Sequence, residues 1–262
     1  APRYAVVLAT HDEQTAGRGP FYIDARHLSE NDLEHMINHL LYVDGNTYPE
    51  YFEQRKLDLK KHPIEVEVGE LCGGGALLVN EQCRSSLSGL FGYTPSSFSF
   101  ALCGGFSSGT EAAKEALKVK ELPQVNSKAV AMEQERVFAP TKKAAGYTWN
   151  EFENAIRQVM NYHMGYVRNQ QGMEVALDKL GLIEKQVDEI KASNYHELLR
   201  TNEAIHLVKY CQLLVRAALE RKESRGFHRR SDYPNVDKEW SKKIIVLWQE
   251  GGEPKMSVEP VE

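Results

Sequence analysis

The chain has 262 residues, with 32 Lys+Arg against 37 Asp+Glu, a formal net charge of −5, 42% apolar and 26% charged residues. That length can bury a real core, and those proportions exclude a collagen, a disulfide-knotted miniprotein and a largely disordered segment. Mild acidity without a long basic run leaves no electrostatic footprint for nucleic acid or for an anionic membrane surface.

In chain order, the run Tyr4 to Ala9 reads as a short strand, and such runs are far too short to span a bilayer. No charged n-region with a long apolar h-region opens the sequence, which points to a cytoplasmic chain. Strand character recurs at Phe21 to Asp24, Ile64 to Val68 and Ala76 to Val79. Helices interrupt it at Ser29 to Leu41, where Ser29 and Asp32 form a possible cap, and more weakly at Tyr48 to Leu59. Ser108 with Glu111 reads as a capping box that opens a helix over Glu111 to Lys118. Pro123 to Lys143 has no clear period and reads as a linker or arm.

From Thr148 the pattern turns helical. Thr148 and Glu151 start one helix, with Phe152, Ile156, Val159 and Met160 on one side. Met173, Leu177, Leu180, Ile183, Val187 and Ile190 form a continuous stripe on the second. Asn194 and Glu197 cap a third, and the three make an up-down unit. After Pro234, Ile244 to Trp248 returns to strand character. Cys72, Cys83, Cys103 and Cys211 lack any Cys-x2-Cys spacing, so they read as reduced thiols, and no metal site is expected.

Four segments carry chemistry. Glycines flank Arg18 in Gly17-Arg-Gly-Pro, which lets the backbone bend and present a guanidinium fork to an oxyanion; a surface arginine in a turn is the plainer reading. Gly73 and Gly74, inside Gly73-Gly-Gly-Ala, leave room for a flat ligand or simply make a tight turn. Ser107, Ser108, Gly109 and Thr110 lead into the helix at Glu111, where free N–H groups would favour a partly negative acceptor, a phosphate or the carbonyl end of a flavin, if this is more than an ordinary helix start. Arg221 to Pro234 is dense in Arg and His; with Gly226 as a C′ residue it reads as a helix cap or as a docking surface through Arg225, His228 and Arg229.

Together these segments resemble the C-terminal half of the flavoprotein subunits of the succinate dehydrogenase, fumarate reductase, L-aspartate oxidase and adenylylsulfate reductase superfamily. Glu223-Ser-Arg-Gly-Phe-His-Arg-Arg-Ser-Asp-Tyr-Pro is similar to the family's Glu-(Ser/Thr)-Arg-Gly-x-His-x-Arg-x-Asp-(Tyr/Phe)-Pro signature, and this is the most specific match. Gly17-Arg-Gly-Pro-Phe-Tyr-Ile-Asp resembles the capping-domain strand with the active-site arginine. Phe106-Ser-Ser-Gly-Thr-Glu resembles the helix start facing the flavin pyrimidine.

The resemblance implies an α+β chain: a partial capping and flavin-domain α/β segment, then a three-helix bundle and a short C-terminal strand region. Its boundaries would be 1–60 (capping-like), 61–125 (flavin domain), 126–240 (helical) and 241–262 (strand and tail). It also implies FAD as cofactor, with Arg18 in a catalytic role and Gly73, Gly74, Ser107, Ser108, Gly109 and Thr110 against the ring. The family's dinucleotide fingerprint is absent, so the adenosine half of FAD is expected on a missing segment or another chain. Partners would be that other flavoprotein half and an iron–sulfur electron-transfer subunit. Departures touch the substrate: Glu70 stands where a histidine is usual, and the family's second arginine is missing around Cys103 to Phe106. Half a dicarboxylate clamp is thereby lost. The rival expectation is a non-catalytic interaction or scaffold subunit with a degenerate flavin site.

Overall fold

The computed structural model describes residues 2–44, 47–66, 75–93, 98–121 and 124–261. The chain divides into two units, Ala1–Cys72 and Gly73–Glu262, and the mixture of helices with small sheets is the expected α+β class.

The first unit runs α1 (Arg3–Thr15), β1 (Phe21–Ile23), α2 (Glu30–Asp44), α3 (Thr47–Gln54) and β2 (Ile64–Val66). β1 and β2 pair antiparallel, with Tyr22 opposite Glu65. The strand expected at Tyr4 to Ala9 is instead the body of α1. A short apolar run fits either state, and no breaker intervenes before Gly17, so the helix propagates. It stops where Gly17 takes φ +75°, its N–H bonding Gln14 O at 3.0 Å and that of Arg18 bonding Glu13 O at 2.9 Å. That is a Schellman closure. At α2 the expected cap is present: the Asp32 N–H donates to Ser29 Oγ at 3.1 Å.

In the second unit, residues 75–93 are irregular apart from an isolated bridge between Arg84 and Phe91, so Ala76 to Val79 forms no strand. α4 covers Phe98–Ala116 and absorbs the helix expected to begin at Glu111. Nothing between Phe98 and Ala116 forbids helix, since mid-helix glycine costs only about 1 kcal/mol against alanine. Gly104 is needed for packing: a Cβ there would overlap the Tyr93 ring. The expected linker contains α5 (Ser127–Phe138), opened by Asn126, whose side chain accepts from the Lys128 and Ala129 N–H groups. No residue of α5 is buried, which is why its period is weak in the sequence.

The core lies in α6 (Trp149–His163), α7 (Gln170–Glu184) and α8 (Tyr195–Glu220). Thr148 and Glu151 form the reciprocal capping box, and Asn194 accepts from the Glu197 N–H at 2.9 Å. Ile156, Met173, Leu180, Val208 and Val215 are at most 1% exposed. Each such burial is worth about 1.5–3 kcal/mol against an exposed side chain. α7 ends earlier than its stripe suggests. A 3-10 turn at Val187–Glu189 follows, yet Ile190 remains in the core, bridged to Tyr147. Beyond α8, β4 (Arg229–Arg230) pairs parallel with β3 (Val167–Arg168). The chain closes with an antiparallel ribbon, β5 (Lys243–Glu250) and β6 (Glu253–Pro260), extending the expected strand and adding its partner.

Candidate functional site

The Glu223–Pro234 segment folds into a compact ionic knot at the end of α8. The helix stops at Glu220, and the chain then makes a two-residue turn in which Arg225 and His228 exchange backbone hydrogen bonds of 2.7 and 2.9 Å. Gly226, expected as a helix C′ residue, is instead the first central residue of this turn with φ +56°. Two-residue hairpins favour glycine there because it takes positive φ without steric cost.

Glu223 is fully buried. Its carboxylate accepts from Arg221 (3.0 and 2.6 Å), from Arg225 (3.0 and 3.1 Å) and from the Asp237 N–H (2.9 Å). Burial pushes its pKa up, but Arg225, Arg221 and that N–H outweigh burial and bring it to about 2. Arg230, 1% exposed, does two things at once. Its Nη1 donates to Leu219 O at 2.7 Å, capping α8, while Nε and Nη2 grip Asp232 at 3.0 and 2.6 Å. Asp232 also accepts from the Gln170 N–H, in the first turn of α7, at 2.9 Å, and its pKa is lowered to about 2, chiefly by Arg230. A cation thus meets the negative end of α8 and an anion the positive end of α7. Ser224 is tied to Tyr233 O at 2.8 Å and to the Arg230 N–H at 2.8 Å.

Of the docking candidates, Arg225 is engaged by Glu223, and His228 is turned inward, with Nε2 3.0 Å from Arg221 O. Burial lowers the His228 pKa to about 4, aided by the positive charges of Arg168, Arg221 and Arg230. Arg229 is half-buried, and its Nε has no hydrogen-bond partner. Arg221, inside the Arg/His-dense segment, completes the knot with Gln170 and Asp237, which the sequence did not single out. The density of charge around the signature is the signal that points to them.

Arg18 sits just beyond α1 with its side chain folded back onto Glu13; Nη2 is 2.7 Å from Oε1, and Nε also donates to that carboxylate. The pairing raises the Arg18 pKa and lowers that of Glu13. Ser107, Ser108, Gly109 and Thr110 lie inside α4, not at a helix start. Their N–H groups are spent on carbonyls one turn back, so the expected row of free amides is not there. The Ser108 and Thr110 hydroxyls bond back to Gly105 O and Phe106 O at 3.2 and 2.8 Å. Gly73 and Gly74 lie outside the described residues.

Comparison with known proteins gives this geometry relatives. Residues 153–262, which contain the bundle and the knot, match the family described as fumarate reductase flavoprotein C-term. The chain is 28% identical over 258 residues to an uncharacterized FAD-dependent oxidoreductase of Methanocaldococcus jannaschii, covering 93% of this chain and 46% of that protein. It is 28% identical over 197 residues to the fumarate reductase flavoprotein subunit of Haemophilus influenzae, covering 71% of this chain and 32% of that one. The fold is similar to that of half of adenylylsulfate reductase from Archaeoglobus fulgidus, with a TM-score of 0.75 and 18% identity over 99% of this chain and 50% of that chain. The C-terminal part of this chain is thus similar in sequence to the C-terminal region of fumarate reductase flavoproteins, and its fold is similar to that of solved flavoproteins of this kind. The chain spans about half the length of the first relatives it matches, or less.

Proposed function

We propose that this chain works as the C-terminal portion of an FAD-dependent oxidoreductase flavoprotein, passing electrons between flavin and an anionic substrate or redox partner. The observation that carries the reading is the Glu223–Pro234 signature, folded inside the segment that matches the fumarate reductase flavoprotein family. FAD, when bound, supplies the hydride and electron chemistry. Polypeptide outside these 262 residues holds its adenosine half.

On this reading Arg18 binds the anionic substrate. Its guanidinium is always protonated and now holds Glu13 through two hydrogen bonds, a carboxylate that an incoming anion would replace; this suits anion binding better than proton delivery. Gly105 and Gly109 are one turn apart on α4, and a Cβ on either would meet nothing within 4 Å. That open face fits a flat ring by shape. The helical amides at 107–110 do not fit the anion-stabilising role, so no step is assigned to them. The knot orients the helical domain at residues 126–240, and Arg229, half-buried and outside the Glu223 and Asp232 pairings, is the signature residue assigned to a neighbouring domain or an iron–sulfur partner.

The test is reconstitution with the adenosine-binding half of the flavoprotein. A yellow flavin band is expected, and Arg18→Ala should abolish turnover at unchanged flavin content. Unchanged turnover removes Arg18 from the reaction. The second reading, a non-catalytic interaction subunit, is favoured by the spent amides of α4; protein that stays colourless beside its partner would establish it.

A further inference from the structure

The ribbon of β5 and β6 has two outer edges, and the sequence treats them differently. The Val261 N–H donates to Lys242 O at 2.8 Å, and the register sets Glu250 opposite Glu253 across the Gly251-Gly252 turn. Bonded rungs of an antiparallel ladder fall on alternate residues, so on β5 they fall at Ile244, Val246, Trp248 and Glu250. The N–H and C=O groups of Lys243, Ile245, Leu247 and Gln249 therefore point away from β6, and among the described residues the sheet has no third strand. On β6 the outward positions are Pro254, Met256, Val258 and Pro260. Two of these have no N–H to offer, which blunts that edge. β5 contains no proline, and its middle, Ile244 to Trp248, carries no charge. An edge left unguarded in this way is a template for another strand.

We propose that β5 pairs antiparallel with β5 of a second copy of this chain, making a four-stranded sheet across a two-fold axis. The edge itself names the occupant. Outward groups must meet outward groups, so the axis passes through a residue and not between two. With the axis at Val246, Ile244 faces the second copy's Trp248, Ile245 its Leu247 and Lys242 its Glu250. Shifting the axis to Ile245 sets Lys242 against Trp248, and shifting it to Leu247 sets Glu250 against Ile244. Only the Val246 axis joins lysine to glutamate, and it does so at both ends. Both charges have a use for it. Glu250 faces the like charge of Glu253 within its own ribbon, and Lys242 reaches Glu239 only at 3.7 Å.

Sedimentation velocity of the 262-residue chain from about 1 to 200 µM should show a monomer–dimer equilibrium, since a single strand edge is smaller than a standard interface. Lys242→Glu and Glu250→Lys should each weaken association at least about tenfold at an unchanged circular dichroism spectrum. Mixed in equal amounts, the two variants should regain the wild-type affinity, because a mixed pair sets lysine against glutamate at both ends. Ile245→Pro, which removes only an outward N–H, should abolish association; Val246→Lys, which sets like charges on the axis, replaces it should the proline variant misfold. Val246→Cys should give a disulfide-linked dimer on mild oxidation, because facing residues of an unbonded pair lie about 4.5 Å apart at Cα. A monomer at the highest concentration, association that ignores the single reversals, or no recovery on mixing overturns the proposal. So does association that vanishes once the adenosine-binding half is bound, which would assign the edge to that polypeptide.

Discussion

Two arginine–carboxylate forks in this chain share their chemistry and differ in their surroundings. Arg230 holds Asp232 with its own side chain fully buried, while Arg18 holds Glu13 with the two side chains 61% and 46% exposed. Water competes for every contact of the exposed fork, so an incoming anion can replace Glu13 at little cost. Replacing Asp232 would strip Arg230, whose Nη1 caps α8, of its counter-charge and would release the first turn of α7. One fork is an anchor; the other is a solvent-exposed pair, and only under the proposed function does it take a ligand.

That contrast is open to direct attack. The largest effect is expected from Glu223→Ala, which leaves Arg221 and Arg225 facing a buried hole. Breaking a buried ionic network in this way costs about 3–5 kcal/mol. Urea denaturation followed by tryptophan fluorescence reads it, because Arg221 lies over the Trp240 ring. A loss below about 1 kcal/mol would demote the knot to decoration. Leu180→Ala, at a fully buried position, should cost about 2–5 kcal/mol by leaving a cavity. A much smaller loss would mean that Leu180 is not central to the packing.

Acid should undo the anchor and spare the exposed fork. Below about pH 6.5 the unfolded chain protonates His228, whereas the folded chain resists until about 4. Unfolded Glu223 and Asp232 protonate near pH 4, folded ones at about 2. In each window the unfolded state binds more protons, so stability falls as pH falls. The melting temperature should decline from about pH 6.5 downward, and His228→Gln should flatten the upper part of that decline. A profile of the same shape in the variant would exonerate His228. The smallest effect belongs to Arg18→Ala, which should leave the melting temperature unchanged; a clear drop would show that this fork, too, is structural.

The bundle was legible because its signals are local and redundant. Thr148 with Glu151 and Asn194 with Glu197 mark helix starts, and the Met173–Leu180 stripe marks a buried face. The α1 segment was not, since six apolar residues carry no period that separates strand from helix. At Ser108 a capping-box pattern occurs inside a longer helix, because a serine and a glutamate three apart are also compatible with helix interior. The signature told which residues matter but not where they point. Arg225 and His228 look like a docking surface in one dimension and fold back onto Glu223 and the α8 terminus in three.

The Schellman end of α1 sets the phase of Arg18. Because the arginine follows a helix terminus, each residue added to or removed from α1 would swing the guanidinium by about 100° around the helix axis. Substitutions along α1 other than at Glu13, which holds the guanidinium, leave its bearing intact, whereas a single insertion ahead of Gly17 would aim it at a different quadrant. Tolerance to exchange with intolerance to changes of length is the behaviour this segment should show in a mutational library.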